Sequence, residues 1–397
     1  MTQVTFDSSE LPVPEQAALT QSNTLSQHIK ELIKQADGSI SFEQYMSACL
    51  YEPGLGYYSA GSHKIGKEGD FITAPEISSL FSRCLANQCA EILEQLGQGI
   101  MLELGAGTGR MAQDILLELE RRDIFPEAYW ILELSADLKQ RQQKLLRENI
   151  PHLFERIHWL DALPDATFNG VILGNEVLDA MPVCRFVKQG SSFNEMQVGL
   201  DGDAFIWKQS LADAMLSQEL HELDSSLRDP MPDNYISEFN RGLKPWLDAL
   251  QNKLEKGIIL FIDYGYPAND YYHPDQHDGH LLCHYRHHAH ADPFFYPGLQ
   301  DITASINYTA VAETADTLGL AVSGYTTQTY FLLANGLEDF VSNINNMDIQ
   351  SQTELAQQMR MLTMPEEMGE RFKAIALSKA YDMPLAGFSI MDQRVRL

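Results

Sequence analysis

Apolar positions in this chain recur in two rhythms, and each change of rhythm marks an element. Spacing of three and four predicts amphipathic helices over 25–36, from Ser41 onward, over 79–96, and from Arg110 onward. Ser41 suits the N-cap of the second, and Met111, Ile115, Leu116 and Leu119 share one face of the last. Short apolar runs between them predict buried strands over 101–104, 129–132, 157–160 and 170–175. The run 257–264 is the most apolar and is expected at the centre of the sheet. The runs 321–325 and 329–334, joined by a polar turn, read as an antiparallel hairpin at the sheet edge. Residues 210–256 read as a mainly helical, polar insertion able to cover a cleft, and 336–382 as helical again. Strands alternating with helices in this way predict an α/β fold with a Rossmann-like, largely parallel sheet. No internal repeat or low-complexity tract interrupts the pattern.

The first strand runs straight into candidate chemistry. Met101, Leu102, Glu103 and Leu104 are followed by Gly105, Ala106, Gly107, Thr108 and Gly109, then by a helix start at Arg110. A dinucleotide fingerprint would place its third glycine where Arg110 stands, and a phosphate-binding P-loop needs Gly-Lys-Ser/Thr, which is absent. The stretch resembles instead the loop of the S-adenosylmethionine (SAM) methyltransferases. Glycines let the backbone approach a ligand closely and take left-handed angles. Glu103 can sit near the ligand's ammonium group, and N–H groups at the helix start can meet its carboxylate. The next strand ends in Glu133, before Leu134, where nucleotide folds place an acid on the ribose hydroxyls. The third ends in Asp161 and Ala162, and Asp161 could meet the adenine amine. A strand-to-helix turn with no ligand remains the alternative for the loop alone, and any one acid could be an ordinary exposed residue. Three acids at three successive strand ends are harder to dismiss.

Asn175, Glu176 and Asp179 follow the fourth strand. Ligands of open α/β sheets bind beyond the carboxyl ends of strands, near the switch point. These three are therefore candidate catalytic residues, with helix-start acids held by the helix dipole as the alternative. Residues 69–78 have the composition of a loop, and Thr73 and Glu76 within it are candidates to close over the cofactor.

Composition narrows the classes. The chain has 397 residues, enough for one large domain with additions, and 44% of them are apolar. Its formal net charge of −27 argues against nucleic acid and anionic membranes. It suits a cationic partner or plain solubility. Five scattered cysteines without a C-x-x-C motif fit reduced thiols. The first 29 residues hold Asp7, Glu10 and Glu15 but no Lys or Arg, so a cytoplasmic location is expected.

Several further motifs stand in one order: Tyr51 to Tyr58 with its Gly-Pro turn, Gly69 to Ser78, and Asn175 to Val183. Phe261 to Gly265, Asp301 to Ala304, Met368-Gly369 and Pro384 to Phe388 complete the set. Together with the glycine loop they resemble the MidA family, which contains bacterial SAM-dependent methyltransferase-like proteins and the mitochondrial complex I assembly methyltransferase. The resemblance covers nearly the whole chain past residue 40. It implies a class I methyltransferase sheet of seven strands with an added helical subdomain, SAM as cofactor, and an arginine of a protein as substrate. The expected organisation is an N-terminal arm 1–24 and a segment 25–96 packing on the cofactor site. A SAM-binding core 97–335 follows, then a helical addition 336–397. A homodimer is among the expectations. A non-catalytic SAM-binding assembly factor and a small-molecule methyltransferase are the alternatives. His273, His277, His280, His284, His287, His288 and His290 crowd one stretch with Cys283. Their spacing matches no standard zinc pattern, so a solvent-facing loop without metal is expected there.

Overall fold

The structure, a computed structural model, describes residues 11–60, 73–342 and 344–397. Its centre is an eight-stranded sheet in which the two-residue strand Ile306–Asn307 pairs only with the end of Leu254–Tyr266, and the other seven strands are numbered here in chain order. They are β1 (Ile100–Leu104), β2 (Tyr129–Leu132), β3 (Ile157–Leu160), β4 (Phe168–Asn175), β5 (Leu254–Tyr266), β6 (Ala321–Thr327) and β7 (Phe372–Lys379). Across the sheet they run β6, β7, β5, β4, β1, β2, β3. All neighbours are parallel except the two pairs that involve β7.

Strand periodicity explains why the run at β5 is so apolar. Ile258, Leu260 and Ile262 point to one core while Ile259 and Phe261 point to the other. A strand buried on both faces reads as continuous rather than alternating apolar sequence. The first helices in chain order are α1 (Gln16–Gln35), α2 (Phe42–Tyr51), α3 (Ala74–Ile77), α4 (Ser79–Leu96), α5 (Arg110–Arg121) and α6 (Ala136–Asn149); α4 and α5 complete the first core, and helices Leu243–Gln251 and Tyr308–Thr317 complete the second. In α5, Met111, Ala112, Ile115, Leu116 and Leu119 are the buried stripe, as their spacing predicts. The chain winds from β1 outward through β2 and β3, then returns to place β4 on the other side of β1. The crevice between the ends of β1 and β4 is thus the topological switch point.

Five expectations are corrected. The first helix is Gln16–Gln35, beginning well before residue 25; residues 1–10 of the expected arm lie outside the described residues. The hairpin at 321–334 does not exist. Its first half is β6, but Gln328–Ala334 is a helix, with Gln328, Phe331 and Leu332 buried at helical spacing and Thr327 at its N-cap. The partner of β6 is β7, inside the tract expected to be helical. That strand reads Phe-Lys-Ala-Ile-Ala-Leu-Ser-Lys, good helix formers that burial on both sheet faces overrides. The insertion does hold helices, Ala214–Ser226 and Leu243–Gln251. They accompany an antiparallel five-stranded sheet of Ser39–Ser41, Cys184–Gln189, Ser192–Asp201, Ala204–Leu211 and Ile236–Phe239. The histidine-rich stretch is not a plain loop. Leu281–Tyr285 and His288–His290 pair as a hairpin, and the first also pairs with Asp301–Ala304. His290 and Cys283 are buried, and burial lowers the His284 pKa to about 4.

Among the described residues no helix is long and apolar enough to cross a membrane, and no three His, Cys, Asp or Glu side chains cluster as metal ligands would.

Candidate active site

The glycine loop leaves β1 through three left-handed residues: Gly105, Gly107 and Gly109 have φ of 62°, 54° and 89°. Side chains at such angles are strained, which is why glycine recurs there. Ala106, between them, is buried. A Cβ on Gly109 would press within 3.3 Å of Gln142, a residue of α6 (Ala136–Asn149). Thr108 donates its hydroxyl to the Glu76 carboxylate, and Arg110 Nε stands 3.8 Å from Glu76. Glu76, on α3 (Ala74–Ile77), therefore contacts the loop, and Thr73 stands just before that helix. Residues 69–72 of that expected loop lie outside the described residues.

Glu103 is fully buried and accepts the Tyr129 hydroxyl at 2.8 Å. Its Oε1 has no hydrogen bond among the described residues. Burial pushes its pKa up to about 8, with the neighbouring Glu133 charge adding to the rise. Glu133, past β2, accepts Ser135 N at 2.8 Å and Gln142 Nε2 at 2.9 Å. The same Gln142 amide donates to Gly107 O at 2.9 Å, and its oxygen accepts Trp159 Nε1 at 2.9 Å. One glutamine thus ties loop, acid and β3 together; only its helical position relative to Ser135 could have signalled it. At the end of β3, Asp161 and Ala162 are exposed, and Asp161 is ion-paired with Lys139 at 2.8 Å. Leu134 is 74% exposed, an unusual state for a leucine beside a crevice.

The second half of the site begins where β4 ends. Leu104 and Gly174 are register partners, so loop and acids leave neighbouring strands. Glu176 adopts φ of 53°, a conformation rare outside glycine and held here by its surroundings. Its N–H still reaches Ile262 O at 2.9 Å, and Asn175 Nδ2 donates to its carboxylate at 3.2 Å. The Ala74 N–H also bonds that carboxylate, so α3 touches both halves of the site. Residues 176–180 form a turn rather than a helix start. Asp179 is buried, and its Oδ1 has no hydrogen bond among the described residues.

Three further elements converge on this turn, and site reasoning from sequence missed them. Asp263 Oδ2 accepts Leu178 N at 2.9 Å and Asp179 N at 3.2 Å. The Tyr58 hydroxyl donates to Asp301 at 2.9 Å, and the Tyr51 hydroxyl to Ala180 O at 2.8 Å. Asp301 belongs to the strand whose Ala304 donates to Asp179 O at 3.0 Å. The rings of Tyr51 and Tyr58 stack at 5.6 Å. All these residues lie in motifs already singled out, yet nothing in their spacing says that they meet.

Glu176, Asp179, Asp263 and Asp301 therefore share one buried region. Burial, then the charge of Asp179, raises Glu176 to about 8. Burial raises Asp179 to about 6. Burial, then Asp179 and Glu176, raises Asp263 well above its ordinary value. Among the described residues, no Lys or Arg is one of the main groups that shift these three. Carboxyl groups held toward the neutral form in this way ionise more readily beside a positive charge, so the cluster favours a cationic ligand.

Comparison with known proteins agrees with this geometry. Residues 84–326 match the model of a family described as putative S-adenosyl-L-methionine-dependent methyltransferase. A Burkholderia thailandensis protein crystallised with S-adenosyl-homocysteine is 39% identical and superimposes with a TM-score of 0.93, covering 98% of this chain and all of that one. Among curated relatives, the Caenorhabditis elegans protein named mitochondrial protein arginine methyltransferase NDUFAF7 homolog is 28% identical, covering 92% of this chain and 89% of its own length. The human protein arginine methyltransferase NDUFAF7 is 27% identical over 88% of this chain and 82% of its own.

Proposed function

This chain belongs to the family of putative S-adenosyl-L-methionine-dependent methyltransferases, the MidA family of the sequence reading, and from that premise we propose that it methylates an arginine guanidinium of a protein. The observation that carries the substrate class is the buried cluster of carboxylates around the 176–180 turn, where Asp263 and Asp301 join Glu176 and Asp179. The names of the relatives favour arginine in a protein within that class.

The residues fit the cofactor. Glu103 Oε1 is a buried acceptor without a hydrogen bond, suited to the ammonium group. The left-handed glycines leave the loop backbone bare for close approach. Glu133 keeps acceptor capacity beyond its two hydrogen bonds, suited to ribose hydroxyls. Bound SAM would supply a methyl carbon on a sulfonium, an electrophile needing no activation by the protein. What the chain must do is hold and aim the nucleophile. Arginine stays protonated, so its nitrogens are poor nucleophiles. Glu176, ionised, can take two guanidinium N–H groups side by side and fix the plane of the fork. Asp179 can hold the opposite edge and accept the proton that the attacking nitrogen loses as the N–C bond forms.

The test is transfer of labelled methyl from SAM into cell extract, followed by acid hydrolysis and amino-acid analysis. Label in methylarginine is the expected result. Label confined to methyl-lysine or to small molecules would overturn the substrate assignment.

A further inference from the structure

The ladder between β4 and β5 ends at the pair Asn175 and Ile262. Glu176 makes one more bond to Ile262 O and then turns out of the sheet with its left-handed φ. Beyond that point no strand remains to receive the N–H groups of Leu178 and Asp179. The next residue of β5, Asp263, receives both on one side-chain oxygen, at 2.9 and 3.2 Å. Its other oxygen receives the Tyr264 N–H at 2.8 Å. Asp263 is 1% exposed, and its own carbonyl is held by the Tyr308 hydroxyl at 2.8 Å. A carboxylate buried beside Glu176 and Asp179 is electrostatically unfavourable unless its bonds offset the cost. Three N–H donors offset part of that cost, and they fix the turn in the process.

We propose that Asp263 is a positioning residue for methyl transfer: its side chain continues the β4–β5 ladder and so sets the turn that presents Glu176 and Asp179. This rests on the reading of that turn as the substrate-holding element. Among the described residues, the hydrogen bonds of the Asp263 side chain all go to backbone N–H groups of Leu178, Asp179 and Tyr264. It acts through the backbone, where a displacement of about 1 Å can cost about 100-fold in rate.

Two variants and three readouts test it. Asp263→Ala removes the acceptor. It should lower kcat about 100-fold while S-adenosyl-homocysteine affinity by calorimetry stays within about threefold. Amide exchange at Leu178 and Asp179 should quicken at least about tenfold, with the rest of the sheet unchanged. Asp263→Asn keeps an acceptor oxygen without the charge. It should restore exchange protection and bring kcat within about tenfold of wild type. Wild-type kcat in the Ala variant overturns the proposal. So does an Asn variant as inactive as Ala with the turn still protected, since the charge rather than the hydrogen bonds would then matter. Parallel loss of cofactor affinity, melting temperature and activity in both variants would make Asp263 a fold residue only. If wild-type protein methylates nothing, the substrate reading has failed, and exchange in the two variants still decides whether Asp263 holds the turn.

Discussion

Single residues in this protein carry roles that split by how local their causes are. The strand-end acids were legible because a strand, a carboxylate and a glycine loop are neighbours in sequence. Asp263, Asp301 and Tyr58 were not, since each acts on a partner tens to hundreds of residues away. Gln142 escaped for the same reason, 35 residues from Gly107. Two predictions belong here. Glu133→Ala removes the acceptor proposed for the ribose and also strands the Gln142 amide. It should weaken S-adenosyl-homocysteine binding by about 2–3 kcal/mol in a calorimetric titration. A loss below about threefold would assign the carboxylate to the protein's own hydrogen bonds. Glu103 should leave a mark on stability. Its pKa rises from 4.5 to about 8 on folding, so between those values the folded chain holds a proton that the unfolded chain lacks. Stability should therefore fall as pH rises through that window. Glu103→Gln should make urea midpoints depend less steeply on pH between about 5 and about 8. An unchanged slope would mean that Glu103 ionises at its ordinary value in the fold.

Elements were read best where one rhythm ran long enough to be unambiguous. The capping box at Ser41 and Gln44 and the stripe of α5 stand where the pattern put them. The hairpin failed because 329–334 is short and apolar in either rhythm, and because β7 is built from residues that suit helices. The antiparallel sheet of the insertion left a signal that went unread: Gly202-Asp203, with Gly202 at φ of 57°, forms a two-residue hairpin loop between Asp201 and Ala204. Glycines also mark where strands crowd. At the start of β4, Gly170 has φ of 152°, and a Cβ there would lie 1.8 Å from Ile100 O on β1. Gly170→Ala should lower unfolding free energy by about 3 kcal/mol or more. Gly190→Ala, at φ of 58° with nothing within 4 Å, should cost only about 1 kcal/mol. Equal urea midpoints for the two variants would contradict this account of strand crowding.

At the scale of the molecule, one sheet order explains why the site lies where it does. Strands β1 and β4 are neighbours whose onward connections diverge, so the glycine loop and the acid turn open into the same crevice. The N-terminal segment closes on it twice: Tyr51 and Tyr58 reach the acids, and α3 links Thr108 to Glu176. The glycine-loop half could be read from one motif; the acid half needed chain segments that only folding brings together. The central claim is that the acid turn holds a cationic substrate beside the cofactor. It is tested most directly with Glu176→Gln, which keeps the side chain's shape and removes its charge. Methyl transfer into protein and S-adenosyl-homocysteine affinity should be measured on the same preparation. The account predicts affinity within about threefold of wild type and transfer reduced about 100-fold or more. Transfer at the wild-type rate would contradict it.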